Sequence, residues 1–209
     1  MKRFVYLAAA FALLTAVPLG AQTTKGWMLR TDRSTSASDP DAAGAVKMMA
    51  MGKGFHVVTP QAAVFWNPAN RATGNYMLKG TFTLVKPSDH TNYYGLVFGG
   101  SDLEGPKQTY LYFLVAQDGS WLVKQRVGDS NTNDVGRAVS AAVRKPDAKG
   151  TSTNVLEVRV TADKIDYVVN GTVVHSTPKK GPTANTDGLY GFRSNHRLEI
   201  MVDELAVTK

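Results

Sequence analysis

The chain contains no cysteine. Disulfides, thiolate metal sites, a cysteine nucleophile and a thiol-linked lipid anchor are all excluded, so its stability has to come from a well-filled core. Histidines are few: His56, His90, His175 and His196 sit in separate segments, with none of the close spacings that mark zinc-binding pairs, so no metal centre is expected. No serine stands in a Gly-x-Ser-x-Gly elbow, which removes the commonest nucleophile motif. The net charge of +7 is modest and its basic residues are scattered, so no nucleic-acid footprint is expected. Beyond residue 21 the chain has no convincing helical period and no repeat of fixed length.

What is present begins with a leader. Lys2 and Arg3 precede an apolar run from Phe4 to Val17, followed by the small-residue site Leu19-Gly20-Ala21. These are the three parts of a secretory signal, cleaved before Gln22. The run is roughly 14 residues, short of the roughly 20 that span a bilayer. The reading is therefore a signal at 1–21 and one domain at 22–209, with no stable membrane span after cleavage; an uncleaved anchor is the alternative. Export without cysteine points to a secreted or periplasmic protein of a bacterial envelope.

The domain reads as short strands. Tyr93 to Arg126 supplies three, the first set apart by the loop Ser101 to Gln108 and the last two joined at Gln117-Asp118-Gly119. A three-residue turn with Gly119 left-handed puts Leu111, Phe113, Val115, Trp121 and Val123 on one face. Tyr110, Tyr112, Leu114, Leu122, Lys124 and Arg126 then fall on the other. A two-residue turn would mix both faces, so the register with one clean apolar face is preferred. Tyr76 to Val85 alternates over about ten residues and predicts a long strand with Tyr76, Leu78, Gly80, Phe82 and Leu84 buried. Asn170-Gly171 marks a two-residue hairpin, which sets Asp166 opposite His175. Gly52-Lys53-Gly54 separates another strand pair. Ala62 to Trp66, Val155 to Val160, Leu189 to Arg193 and Leu198 to Val207 are further strands, the last with Leu205 on its outer side. Trp27 and Leu29 share a face of a first short strand. Thr31 to Gly44 reads as a mobile loop, Val127 to Gly136 as a polar turn region and Arg137 to Val143 as an edge strand. The fold class is all-β, an antiparallel two-sheet sandwich or jelly roll.

The C-terminal half, NVLEVRVTADKIDYVVNGTVVHS followed by GLYGFRSNHRLEIMVDELAV, resembles the closing strands of concanavalin A-like sandwiches. The laminin-G-like domains and the bacterial 3-keto-disaccharide hydrolase or family-16-like glycoside hydrolase domains share this order. The matching pieces are Val155 to Val160, Tyr167 to Gly171, Gly188 to Phe192, and Val202-Asp203 with Val207. The resemblance implies the sandwich fold and, through the hydrolase group, a sugar ligand. Family-16 glucanases carry catalytic acids as Glu-x-Asp-x-Glu on one strand; Glu199 to Glu204 departs from that spacing, so no catalytic residue is assigned.

The candidate binding surface is the polar aromatic face. Tyrosine rings stack on sugar rings, while Lys124 and Arg126 hydrogen-bond hydroxyls or pair with the carboxylates of an acidic glycan. Beside Tyr110 and Tyr112, Arg193, Asn195 and His196 extend this surface if the sheets close as in the family. No cofactor is expected, calcium through Asp89, Asp102 and Glu104 being the one considered. The remaining acids near strand faces, Glu157, Glu199 and Asp203, read as solvated charges. Three functions stay open: a carbohydrate-binding module, a glycoside hydrolase of the 3-keto-disaccharide hydrolase-like group, and a structural or protein-binding envelope domain.

Overall fold

In a computed structural model, residues 24 and 26–209 are described, so the leader at 1–21 lies outside the described residues. Fourteen strands follow in order: β1 (Met28–Asp32), β2 (Lys47–Met51), β3 (Gly54–Thr59), β4 (Ala62–Ala72), β5 (Tyr76–Lys86), β6 (Tyr93–Ser101) and β7 (Thr109–Ala116). The second half comprises β8 (Ser120–Val127), β9 (Asn131–Val139), β10 (Ser152–Val160), β11 (Lys164–Val169), β12 (Thr172–Pro178), β13 (Gly188–Ser194) and β14 (Leu198–Thr208). One 3₁₀ turn, Gly181–Thr183, is the only helical piece among the described residues, and none of it is long or apolar enough to cross a membrane.

Two seven-stranded antiparallel sheets result. The first runs β1-β4-β13-β6-β7-β8-β9 and the second β12-β11-β10-β5-β14-β3-β2. Alternate residues of each strand meet between them: Phe65, Tyr94, Leu96, Phe113, Trp121 and Phe192 from the first, against Leu78, Phe82, Leu84, Leu156, Tyr167 and Ile200 from the second. The expected all-β sandwich is therefore the fold, and its period-two alternation decides which side chains fill the middle.

The turn at 117–119 has three residues. Val115 pairs with Trp121, Phe113 with Val123, Tyr112 with Lys124 and Tyr110 with Arg126. Gly119 adopts φ +90, a conformation that any side chain strains. Asn170 and Gly171 form the two-residue turn at φ 49 and 83, with Val169 paired to Thr172. Beyond it, however, a bulge shifts the register so that Tyr167, not Asp166, faces His175. Asp166 pairs instead with Ser176 and accepts its hydroxyl at 2.6 Å.

Further expectations need correction. The stretch from Asn131, read as a polar turn region, is the edge strand β9. It ends at Val139, short of Val143, which is buried in a turn. β4 runs through Asn67-Pro68 to Ala72. In β14 a register shift follows Asp203, with Glu204 at φ 53; this extra residue turns Leu205 inward against the core beside Val207. Trp27 packs on Phe55 and Phe192, ring centroids 4.6 and 5.7 Å away, whereas Leu29 is exposed. Finally, Thr31 and Asp32, read as the start of a loop, belong to β1; the irregular segment 33–44 that follows has Ser34 N–H donating to Asp41 Oδ2 at 2.9 Å and Ala42 N–H to Pro60 O at 3.0 Å.

Candidate functional site

The outer face of the first sheet carries a second buried layer. Because the three-residue turn sends them outward together, Tyr110, Tyr112, Leu114 and Leu122 meet Val64, Trp66, Tyr93 and Val97 from the neighbouring strands. The loop 102–108 closes over one end with Leu103. Tyr110 is only 1% exposed and Tyr112 7%. Tyr110 therefore cannot offer its ring to a ligand; it supports the residue above it.

That residue is Arg193 of β13. Its Nη1 donates to Tyr110 Oη at 3.0 Å and to Asp32 Oδ2, its Nε donates to Asn195 Oδ1 at 3.3 Å, and its guanidinium lies 5.6 Å from the centre of the Tyr112 ring. Arg126 approaches the other oxygen of Asp32 at 3.7 Å and donates its Nε to Gly128 O at 2.9 Å. The Arg193 and Asp32 side chains are 11% and 10% exposed. Burial works to raise the Asp32 carboxyl, but Arg193, then Arg126 and Arg30, outweigh it and hold it below the usual carboxylate range. Burial pushes the Tyr110 phenol up to about 12, with Arg193 opposing. Asp32 lies in the N-terminal strand, where the sequence gives no sign of its role. Its pairing across the sheet could be found only from the strand order β1-β4-β13.

Between these groups runs a trough. Its central hollow, about 260 Å³, has Tyr112, Leu114 and Leu122 as floor and Lys124, Arg193 and Asn195 among its walls. It shares Tyr93 and Arg137 with a neighbouring hollow of about 490 Å³ that extends toward Asp118. It shares Asp39, Asn92, Arg193 and Asn195 with a smaller one of about 160 Å³ that holds Asp32 and His196. The centre alone is smaller than the roughly 300–1,000 Å³ usual for small-molecule sites, so a ligand of more than one ring would occupy the shared space. Lys124 reaches Asp134 at 2.7 Å. Arg137 lies 5.7 Å from the Tyr93 ring centre and pairs with no carboxylate among the described residues.

At the far end of the trough three loops converge. His196, 6% exposed, lies in the turn from β13 to β14; Asn195 N–H there donates to Tyr93 O at 2.8 Å. His196 Nδ1 meets Asp41 Oδ1 at 3.0 Å and its Nε2 meets Asp39 Oδ1 at 3.2 Å. His90, from the loop before β6, brings its Nε2 to 3.0 Å of the same Asp39 oxygen and its Nδ1 to 2.8 Å of Asp89. Spacing in the chain, 106 residues between the two histidines, gave no reason to pair them. The fold does so, and Asp39, His90 and His196 are the one group of three ligand-capable side chains among the described residues.

The other candidates lie apart from this surface. Asp102 accepts Lys107 N–H at 3.1 Å, Glu104 is exposed, and Asp89 accepts Arg197 at 3.1 Å, so the calcium trio does not gather. Glu157 pairs with Arg159 and Glu199 with His56, both on the second sheet. A hollow of about 410 Å³ near Glu199, Lys86 and Arg197 lies outside the trough and gathers fewer polar groups toward one point.

No protein-family model matches the chain, and no curated protein matches it in sequence. Solved structures do match in shape. A Bacteroides ovatus mixed-linkage glucan GH16 protein in complex with a G4G4G3G product is similar at TM-score 0.60 and 9% identity, over 90% of this chain and 97% of that one. A protein of unknown function with a galectin-like fold from Bacillus subtilis is similar at TM-score 0.59 and 14% identity, over 88% and 89%. The carbohydrate-binding module CBM66 from Bacillus subtilis is similar at TM-score 0.55 and 8% identity, over 88% and 96%. At such identities the likeness establishes the concanavalin A-like sandwich fold and nothing finer.

Proposed function

We propose that this chain is an exported carbohydrate-binding sandwich domain that recognises a glycan along the trough of the first sheet. One observation carries the reading: a hollow rimmed by Lys124, Arg137, Arg193 and Asn195 opens over the buried layer of Tyr112, Leu114 and Leu122. The rim supplies donors to the hydroxyls of a sugar or to a ligand carboxylate. Arg137, with no carboxylate partner, is the cation most available to an acidic sugar, and Arg193 is held rigid by Asp32 and Tyr110. Tyr110 and Arg126 serve the site from beneath. Shape similarity to a carbohydrate-binding module and to a glucan-product complex supports the same reading. Export rests on the leader pattern of residues 1–21.

Hydrolysis is the second reading, and the state of Asp32, Asp118 and Asp134 favours binding over it. A glycosidase needs a protonated carboxyl with a raised pKa opposite a second carboxyl. Of the acids around the trough, Asp32 is held low by its arginines, as described. Hydrogen bonds from Ser120 outweigh partial burial at Asp118, and a hydrogen bond from Lys124 lowers Asp134.

The test is a glycan-array screen of the protein from Gln22 onward, followed by calorimetry of the best ligand and a parallel hydrolysis assay. Arg137→Ala and Lys124→Ala are expected to weaken binding about tenfold each, the loss of a charge-assisted hydrogen bond. Unchanged affinity in both variants places the ligand elsewhere, and released sugar product replaces the binding reading with the hydrolytic one.

A further inference from the structure

We propose that Asp39, His90 and His196 bind one divalent first-row transition metal, zinc by the character of the donors, with a coordination position open toward the hollow that holds Asp32 and Arg193. His90 Nε2 and His196 Nε2 are 3.2 Å apart, and each lies within 3.2 Å of the same Asp39 oxygen. Donors about 2.0–2.1 Å from a tetrahedral zinc are about 3.3–3.4 Å from one another, so an ion capping this triangle would sit about 1 Å out of its plane.

The tautomers agree with this. A carboxylate only accepts, so Asp41 and Asp89 each fix the proton on the Nδ1 that faces them. Both Nε2 lone pairs are then turned toward a third acceptor, Asp39, and one metal ion shared by the three relieves that contact, as a second proton on an imidazole would. The amide of Asn92 lies 3.0 Å from His90 Nε2 and 3.1 Å from Ser88 Oγ, and turns wholly to Ser88 when the metal takes the nitrogen. Gln117 holds the His90 loop from behind, its Nε2 donating to Ser88 O at 2.9 Å and His90 O at 2.8 Å.

Two imidazoles with one carboxylate suit zinc and its neighbours, whereas calcium and magnesium ask for six or more oxygens. Histidine ligands whose second nitrogen meets a carboxylate are the usual outer arrangement of such sites. With Arg193 held by Asp32 and Arg197 by Asp89, the carboxylates of Asp39 and Asp41 that face the histidines leave the local charge ready for a divalent ion. The inference goes beyond the glycan reading and stands without it.

The test uses the full domain stripped with a chelator, then titrated with zinc and with cobalt at pH 7.5 in the absence of any sugar. One ion per chain and a four- or five-coordinate cobalt spectrum are expected. His90→Gln, on a half-exposed loop, and Asp39→Asn are expected to weaken zinc by at least about 100-fold, and Asp41→Asn by about 10- to 100-fold. His56→Gln and His175→Gln leave binding unchanged. Urea unfolding confirms that each variant is folded, and ring-nitrogen NMR of the loaded protein is expected to show Nδ1 protonated and Nε2 metal-bound on both histidines. The proposal is overturned if the wild type takes up no stoichiometric metal, if His90→Gln and Asp39→Asn bind as it does, or if both Nε2 atoms carry protons when zinc is present.

Discussion

Replacing Arg193 by methionine keeps the stem but removes the charge that joins Asp32, Tyr110, Tyr112 and Asn195. Breaking a buried ion pair from one side costs about 3–5 kcal/mol, because the other charge is left in a poor solvent. Arg126 still reaches Asp32, at 3.7 Å, so the cost is expected at the lower end, about 3 kcal/mol. Asp32→Asn strands the arginine instead, and the double variant strands neither. A coupling of about 1–3 kcal/mol between the two substitutions is therefore expected in urea unfolding followed by tryptophan fluorescence at neutral pH. The acid dependence adds a second reading. Asp32 is depressed in the folded protein, so its stabilisation is complete above the unfolded value of 3.8 and disappears as pH falls below it. The gap between wild type and Arg193→Met should narrow below about pH 4. A cost under about 1 kcal/mol, additive singles, or a gap constant into acid would each refute the account of Arg193 as the group that ties the trough wall together.

Two other substitutions probe the frame. Gly119→Ala puts a side chain at φ +90 and is expected to cost about 1–2 kcal/mol in the same unfolding assay; an unchanged midpoint would mean that the turn does not set the register. His175 stacks on Trp121 and Tyr167, ring centroids 5.0 and 5.7 Å away, with Nε2 buried and unpartnered. Its burial lowers its pKa from 6.5, so the folded protein resists a proton the unfolded chain accepts, and stability is lost as pH falls below 6.5. His175→Phe should remove that part of the decline in melting temperature between neutral pH and pH 5, and parallel curves would refute it.

Much of the fold is legible because its decisive signals are local. Asp118-Gly119 and Asn170-Gly171 fix turns through the conformations only such residues take easily, and from the first of these the two faces of β7 and β8 follow by alternation. What escapes is the single extra residue. At Glu204 and beyond Tyr167 the bulge is visible only against the partner strand, since one chain in isolation gives no register to be displaced from. The strand β9 escapes for a different reason. An edge strand with both sides near solvent has no buried face, so Asn131–Val139 carries no apolar alternation. Its place is set by backbone pairing to β8, which is nearly independent of sequence.

The same division runs through the site. Of its cations, Lys124, Arg126 and Arg193 are legible, because each sits on a strand whose facing can be counted, whereas Arg137 lies in β9 and is not. Its acids are not, because Asp32 is in a strand too short to count and Asp39 and Asp41 come from a segment with no apolar period. Their importance comes from the closure of the sheet, which sets Asp32 against Arg193 across 161 positions and Asp41 against His196 across 155. The physical consequence is that the sheet supplies a hollow with an excess of positive charge in its walls, and the segment 32–41 decides how much of that charge stays unpaired. Asp32 neutralises Arg193, whereas no part of the segment reaches Arg137. A chain with the same strands and a different segment here would keep the sandwich while changing both the charge along the trough and the donors gathered at its end.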